Sequence, residues 1–233
     1  MKENKVYEIR LKIFLLRDIP VIKIMGKEVE FIDSAMAKDS KWLEYHEKNC
    51  LKNYCMGGLY QIEKDGIYKK EKIYTIIIRT VDVELAKYFS KELRNHYTES
   101  IKGLTVENRI LPKKFIGEIY TLTPLIIKTD KGYWRDQISI NEFERLLVEN
   151  LIKKYNQYTG EKIDEDFQLY TGLTFMNRKP VKVEYKGIHL LGDKVNLKIS
   201  DDTRAQELAY FLLGTGIGTM NTRGYGYCNY RWL

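Results

Sequence analysis

The sequence predicts an α+β fold in which one β-α-β-β-α-β unit is used twice. Two observations predict it. Extended and helix-period segments follow one another in the same order in both halves, and no Ser/Pro-rich linker or low-complexity stretch separates the halves. A chain of 233 residues that is 44% hydrophobic has the means to bury a core without disulfides.

The first unit opens at residues 7–15, where Ile9, Leu11, Ile13 and Leu15 alternate with Glu8, Arg10 and Lys12, the pattern of a half-buried strand. Over 28–45, Val29, Ile32, Met36 and Leu43 fall near helical spacing and predict a helix. Extended runs over about 57–63 and 72–80 flank Lys64-Asp65-Gly66, and Asp-Gly between such runs signals a hairpin. A second helix is expected from the N-cap type Asp82, with Leu85, Phe89, Leu93 and Tyr97 along one face. A short strand near 104–111 closes the unit.

The second unit begins with a long extended segment over 115–128, in which Pro124 suggests a bulge or a sheet edge. A helix over about 140–158 carries Phe143, Leu146, Leu147, Leu151 and Tyr155 at helical spacing. Alternating runs at Val181–Tyr185 and Val195–Ile199 supply its middle strands. A helix over about 202–213 turns Ala205, Leu208, Ala209 and Leu212 inward, and a strand from Tyr225 to Trp232 ends the chain. This order is the split β-α-β signature of ferredoxin-like (RRM-like) domains. Tandem domains are therefore expected over 1–112 and 113–233, meeting near Pro112, with a fixed cleft between their sheets.

Thirty-nine basic against 32 acidic residues give a net charge of +7, which favours a polyanionic partner. The 18 tyrosines include rings able to stack on unpaired bases. Cys50, Cys55 and Cys228 are an odd set without zinc spacing, so they are expected as reduced thiols in the cytoplasm. The charged start Met1-Lys-Glu-Asn-Lys is unlike a signal peptide, and no run is long enough to span a bilayer, so no membrane is expected. No metal constellation and no cofactor motif stand out.

The most specific signal is Gly214-Thr-Gly216-Ile-Gly218-Thr-Met-Asn-Thr-Arg223-Gly224-Tyr-Gly226, five glycines in thirteen residues. Glycine lets a backbone approach another group closely, and such a loop is expected to turn a concave run of N–H groups toward phosphate oxygens. Arg223 and, more distantly, Arg204 would add charged contacts. A plain helix C-cap would need one glycine. The order helix-loop-strand, with no Lys-Ser/Thr pair, disfavours a mononucleotide site.

Gly216-Ile-Gly218, five residues, then Gly224-Tyr-Gly226 resembles the glycine-hydrophobic-glycine repeat of the CRISPR repeat-processing endoribonucleases, the Cas-six family. That family places the loop between the last helix and last strand of a second ferredoxin-like domain. Thr121-Leu-Thr-Pro124-Leu is similar to the strand opening that domain. The resemblance implies an RNA-binding role for Gly216, Gly218, Gly224, Gly226 and Arg223. It also implies a catalytic histidine at the end of the first helix, which is His46 in Tyr45-His-Glu-Lys-Asn-Cys-Leu-Lys52, with Lys52 assisting and Tyr45 as a further candidate. His96, at a helix end, and His189, in a turn, are expected as solvated residues.

Such a site cuts RNA without metal. A base takes the 2′-hydroxyl proton, the 2′-oxygen attacks the adjacent phosphate, an acid protonates the leaving 5′-oxygen and a cation stabilises the charge. The implied partner is a CRISPR precursor RNA repeat, and the implied products carry 2′,3′-cyclic phosphate and 5′-hydroxyl ends. Other CRISPR effector subunits are further partners under this resemblance, with the chain a monomer or homodimer. The alternative from another class is a non-catalytic RNA-binding subunit of a CRISPR effector complex; a tandem domain binding a small molecule is the third reading.

Overall fold

Two four-stranded antiparallel sheets, each backed by helices, make up the molecule. The structure, a computed structural model, describes residues 4–61, 63–130 and 132–233. Residues 1–3 of the charged start and position 62 of the extended run expected over 57–63 lie outside them.

In the first half, β1 (Tyr7–Leu15) leads through β2 (Ile19–Pro20) into α1 (Val21–Met36) and α2 (Ser40–Glu47). Then come β3 (Tyr54–Met56), β4 (Ile67–Tyr68), β5 (Ile73–Thr80), α3 (Val83–Glu92) and β6 (Ile101–Ile110). The sheet order is β3-β5-β1-β6. Alternation on β1 does what it predicts: Ile9, Leu11, Ile13 and Leu15 are all fully buried. The single helix expected over 28–45 is two helices, because Asp39 accepts hydrogen bonds from the Lys41 and Trp42 N–H groups and starts α2 afresh. The middle strand is Tyr54–Met56 rather than 57–63. The helix capped by Asp82 stops at Glu92, which leaves Tyr97 outside it and 72% exposed.

The second half runs β7 (Ile116–Thr121), α4 (Ile140–Thr159), β8 (Tyr170–Phe175), β9 (Val181–Tyr185), β10 (Ile188–Gly192), β11 (Val195–Ile199), α5 (Thr203–Thr215) and β12 (Cys228–Trp232). Its sheet order is β12-β7-β11-β8. The strand expected over 115–128 therefore ends at Thr121, short of Pro124. The run at Val181–Tyr185 is not the middle sheet strand. It pairs with β10 in a separate hairpin, and β8 occupies the sheet position beside β11. Both sheets have the ferredoxin-like strand arrangement, so the chain is a tandem ferredoxin-like fold with the β9–β10 hairpin added.

The halves share contacts as well as a connection. Val6, Val81 and Leu111 belong to the apolar cluster of the second half. The Tyr210 hydroxyl donates to Leu111 O at 2.6 Å and accepts from Val6 N–H at 3.1 Å. Glu8, 1% exposed, holds Arg79 at 2.8 Å and Arg109 at 2.7 Å, and Arg79 donates onward to Cys228 O in β12 at 2.7 Å. Burial alone would raise the Glu8 carboxyl, but Arg79 and the hydrogen bond from Arg10 outweigh it and hold the group below its ordinary range.

Candidate functional site

His46 sits in the last turn of α2, half-buried, with Nδ1 3.4 Å from Asp33 Oδ1 on α1. The other Asp33 oxygen, Oδ2, forms an ion pair with Arg223, which lies in the short turn Asn221–Arg223 of the glycine loop. One carboxylate thus ties the end of α2 to the loop residue Arg223, 190 positions beyond Asp33 in the chain. Asp33 carried no signal in the sequence, because both of its partners arrive by tertiary folding.

Lys52 and Tyr45 hold the turn that follows α2. The Lys52 ammonium donates to Lys48 O at 2.6 Å and to Tyr45 O, and it lies 4.8 Å from the Tyr45 ring centroid. These are the open carbonyls of a helix end, a favourable place for a cation. The Tyr45 hydroxyl accepts from Asn53 N–H at 2.7 Å, and burial pushes its ionisation far up, which disfavours a role as a base.

The glycine loop differs from its expected form. Its N–H groups do not form an open concave run, because most are spent inside the protein. Ile217 N–H donates to Gly226 O at 2.9 Å, Thr219 N–H to Ile126 O at 2.9 Å, Gly224 N–H to Asn221 O at 3.2 Å and Gly226 N–H to Pro124 O at 2.9 Å. The glycines are needed for self-packing. A Cβ on Gly226 would stand 1.9 Å from Ile217 O, and one on Gly224 would stand 1.8 Å from the Met25 sulfur on α1. What the loop leaves half-exposed is Thr219, Met220, Thr222 and Arg223.

A buried lysine fastens this loop from below. Lys154 Nζ on α4 donates to Gly216 O at 3.0 Å, Gly218 O at 2.8 Å and Asn221 Oδ1. It follows Leu147 and Leu151 on the inward stripe of the helix, and a lone lysine on that stripe was a readable signal. Burial without a carboxylate partner pulls its ammonium down to about 7.

That shift fixes a pH dependence. Above the ordinary lysine value of 10.5 the amine is neutral in folded and unfolded chains, and the burial cost is absent. As pH falls toward 7 the unfolded chain takes up a proton that the folded chain resists, so the group lowers stability by on the order of 3–5 kcal/mol. The stability of the parent minus that of Lys154→Met is therefore expected to grow as pH rises from about 7 to 10.5. Urea unfolding of both proteins across this range measures it, and a difference flat with pH would contradict it.

A cleft of about 1390 Å³ lies between the open face of the first sheet, the start of α1, the β9–β10 hairpin and the loop. Arg10, Lys12, Lys182 and Lys194 line it together with Tyr60 and Tyr225. From Met25, in the cleft wall, to Asp33 is eight helical residues, or ~12 Å along α1. The cleft and the His46 cluster are thus the two ends of one helix segment.

The remaining candidates lie elsewhere. Arg204 is at the N-terminal end of α5, paired with Asp164, a helix length of ~18 Å from the glycine loop. His96 is not solvated: it is 5% exposed, its ring 4.8 Å from that of Phe31 and its Nε2 2.9 Å from Ser34 Oγ, and burial lowers its pKa. His189 is exposed, on β10 rather than in a turn. Among the described residues no three His, Cys, Asp or Glu side chains gather as a metal site, and no helix is long and apolar enough to cross a membrane.

The fold is shared with solved structures along almost its whole length. A structure described as CRISPR associated protein Cas6 superposes with a TM-score of 0.72 at 20% identity, covering 97% of this chain and 99% of that one. A Cas6-related protein from Pyrococcus furiosus gives 0.66 at 18% identity, covering 97% and 98%. A Cas6 product complex gives 0.62 at 15% identity, covering 98% and 100%. At such identities these likenesses speak for the fold alone. No curated protein sequence matches the chain. The family model for CRISPR associated protein Cas6, C-terminal, matches residues 107–230, from the last strand of the first sheet through the glycine loop to the final strand. That match covers more than half of the sequence, and the protein belongs to the Cas6 family.

Proposed function

We propose that this protein is a metal-independent endoribonuclease that cuts CRISPR precursor RNA within its repeats. The observation that supports this reading is the meeting of His46 with Arg223 of the glycine loop through Asp33. It puts an imidazole, a group that can both take and give a proton, beside a cation suited to phosphate. One similar structure is described as a Cas6 product complex, and another as a RAMP protein binding different RNA substrates.

In this reading His46 exchanges protons with the reacting RNA. The 2′-oxygen gives up its proton and bonds to phosphorus, the bond from phosphorus to the 5′-oxygen breaks, and that oxygen is protonated. The ends are a 2′,3′-cyclic phosphate and a 5′-hydroxyl. Arg223 and Lys52 supply positive charge to the transition state. The cleft takes the rest of the strand, with Arg10, Lys12, Lys182 and Lys194 on phosphates and Tyr60, 67% exposed, available for stacking. The division of labour follows the two units: residues 1–112 carry His46, and residues 113–233 carry the loop. The RNA repeat is the primary partner, in a cytoplasmic setting that other CRISPR effector subunits share.

The test is cleavage of a repeat RNA in excess chelator. Undiminished cutting is the expected result. Activity lost on chelation and restored by magnesium would refute the metal-free mechanism. RNA that is bound yet never cut would favour a non-catalytic binding subunit instead.

A further inference from the structure

We infer that Asp33 is the positioning residue for His46: it holds the imidazole at Nδ1 and thereby presents Nε2 as the atom that exchanges a proton with RNA. This rests on the catalytic reading of His46 and names the group that prepares it.

Asp33 Oδ1 is buried, and among the described residues it has no hydrogen-bond partner. The group it faces is His46 Nδ1 at 3.4 Å. Leaving a buried carboxylate oxygen unpaired is costly, so this geometry favours a proton on Nδ1 directed at Oδ1. The distance is long for a formed bond, as acid/base pairs often are before substrate tightens the site. The carboxylate is not free to turn away, because Oδ2 is claimed by Arg223. Helix α1 fixes its backbone, and Tyr54, 2% exposed, adjoins the Asp33–Arg223 pair. A neutral imidazole has two tautomers, and an acceptor fixed at Nδ1 selects the one whose Nε2 lone pair is open to take a proton.

Asp33→Asn separates this role from a merely structural one. Arg223 keeps the amide oxygen, so the amide NH2 faces Nδ1 and favours the opposite tautomer. Three measurements are made on the parent, Asp33→Asn, Asp33→Glu and His46→Ala: 15N shifts of the imidazoles, assigned by omission in His46→Ala; the single-turnover rate on a repeat RNA; and the RNA binding isotherm. In the parent, neutral His46 is expected to carry its proton on Nδ1. Asp33→Asn should move the proton to Nε2 and slow cleavage by about 10–100-fold, the range for lost orienting partners, with RNA affinity kept within about threefold. Asp33→Glu should recover part of the rate.

An unchanged tautomer or an unchanged rate in Asp33→Asn overturns the inference. So does a rate loss matched by an equal loss of RNA affinity, which is the mark of a scaffold. If His46→Ala cuts as fast as the parent, the reading of His46 itself fails. A tautomer change in Asp33→Asn would then record a contact without a role in cleavage.

Discussion

His46→Ala is expected to slow single-turnover cleavage of a repeat RNA by about 10²–10⁴-fold while RNA affinity stays within a few-fold. Removing an acid/base group takes away an interaction that matters in the transition state and leaves ground-state contacts in place. In the proposed reading those contacts lie largely elsewhere, along the cleft of Arg10, Lys12, Lys182 and Lys194 and at the half-exposed Arg223. His189→Ala is the matched control, since its side chain stands exposed on the β9–β10 hairpin. His96→Ala is a poor control. It would empty a buried site between Phe31 and Ser34, and its first effect should be on stability. If His46→Ala cuts at the parental rate, the acid/base assignment is wrong.

The second large effect is expected at Gly226. Its φ of +63° disfavours any side chain, and an added Cβ would stand 1.9 Å from Ile217 O, a backbone atom that has no rotamer to escape into. Accommodating a methyl group means prising apart the Ile217 N–H to Gly226 O bond and, with it, the Lys154 anchorage at Gly216 and Gly218. Gly226→Ala should therefore cost about 3–5 kcal/mol, the range of exceptional single substitutions. Gly160→Ala isolates the backbone contribution. There φ is +78° at the end of α4 but nothing lies within 4 Å of the new atom, so about 1–2 kcal/mol is expected. Denaturant unfolding of the two variants is the comparison, and equal losses would show that crowding around Gly226 contributes nothing.

Legibility in the sequence followed the range of the interactions. β1, α4 and α5 were readable because a periodic apolar face reports burial locally, as Ile9 to Leu15 and Phe143 to Tyr155 show. The glycine spacing was readable as well, although its purpose was not: the glycines crowd against Met25, Ile126 and Ile217 instead of presenting open N–H groups. β8 escaped notice because Thr171, Gly172 and Thr174 break up its core-packed Tyr170, Leu173 and Phe175 into a short and irregular pattern. Val181–Tyr185 took its place because the alternation and the glycine turn there are strong local signals, and they belong to a hairpin. The break at Asp39 was there to be read as an N-cap, but the apolar positions on either side kept helical spacing across it. The His46 cluster was half legible. The histidine came through resemblance, whereas the Asp33–Arg223 pair spans 190 positions and leaves no local trace.

Arg79 has a consequence for how the chain is made. Its guanidinium, 4% exposed, leans on Glu8 from the first strand, on Cys228 O from the last, and on the Tyr227 ring at 4.8 Å. Synthesis runs from the N-terminus, so β1 and β5 emerge long before the residues that cover this cation. Until Cys228 and Tyr227 arrive, the guanidinium has its Glu8 partner but lacks the carbonyl and the ring that cover it, and the first half stays unfinished. A strand of the second sheet thus completes the cover over a cation of the first, which couples the stability of the two halves.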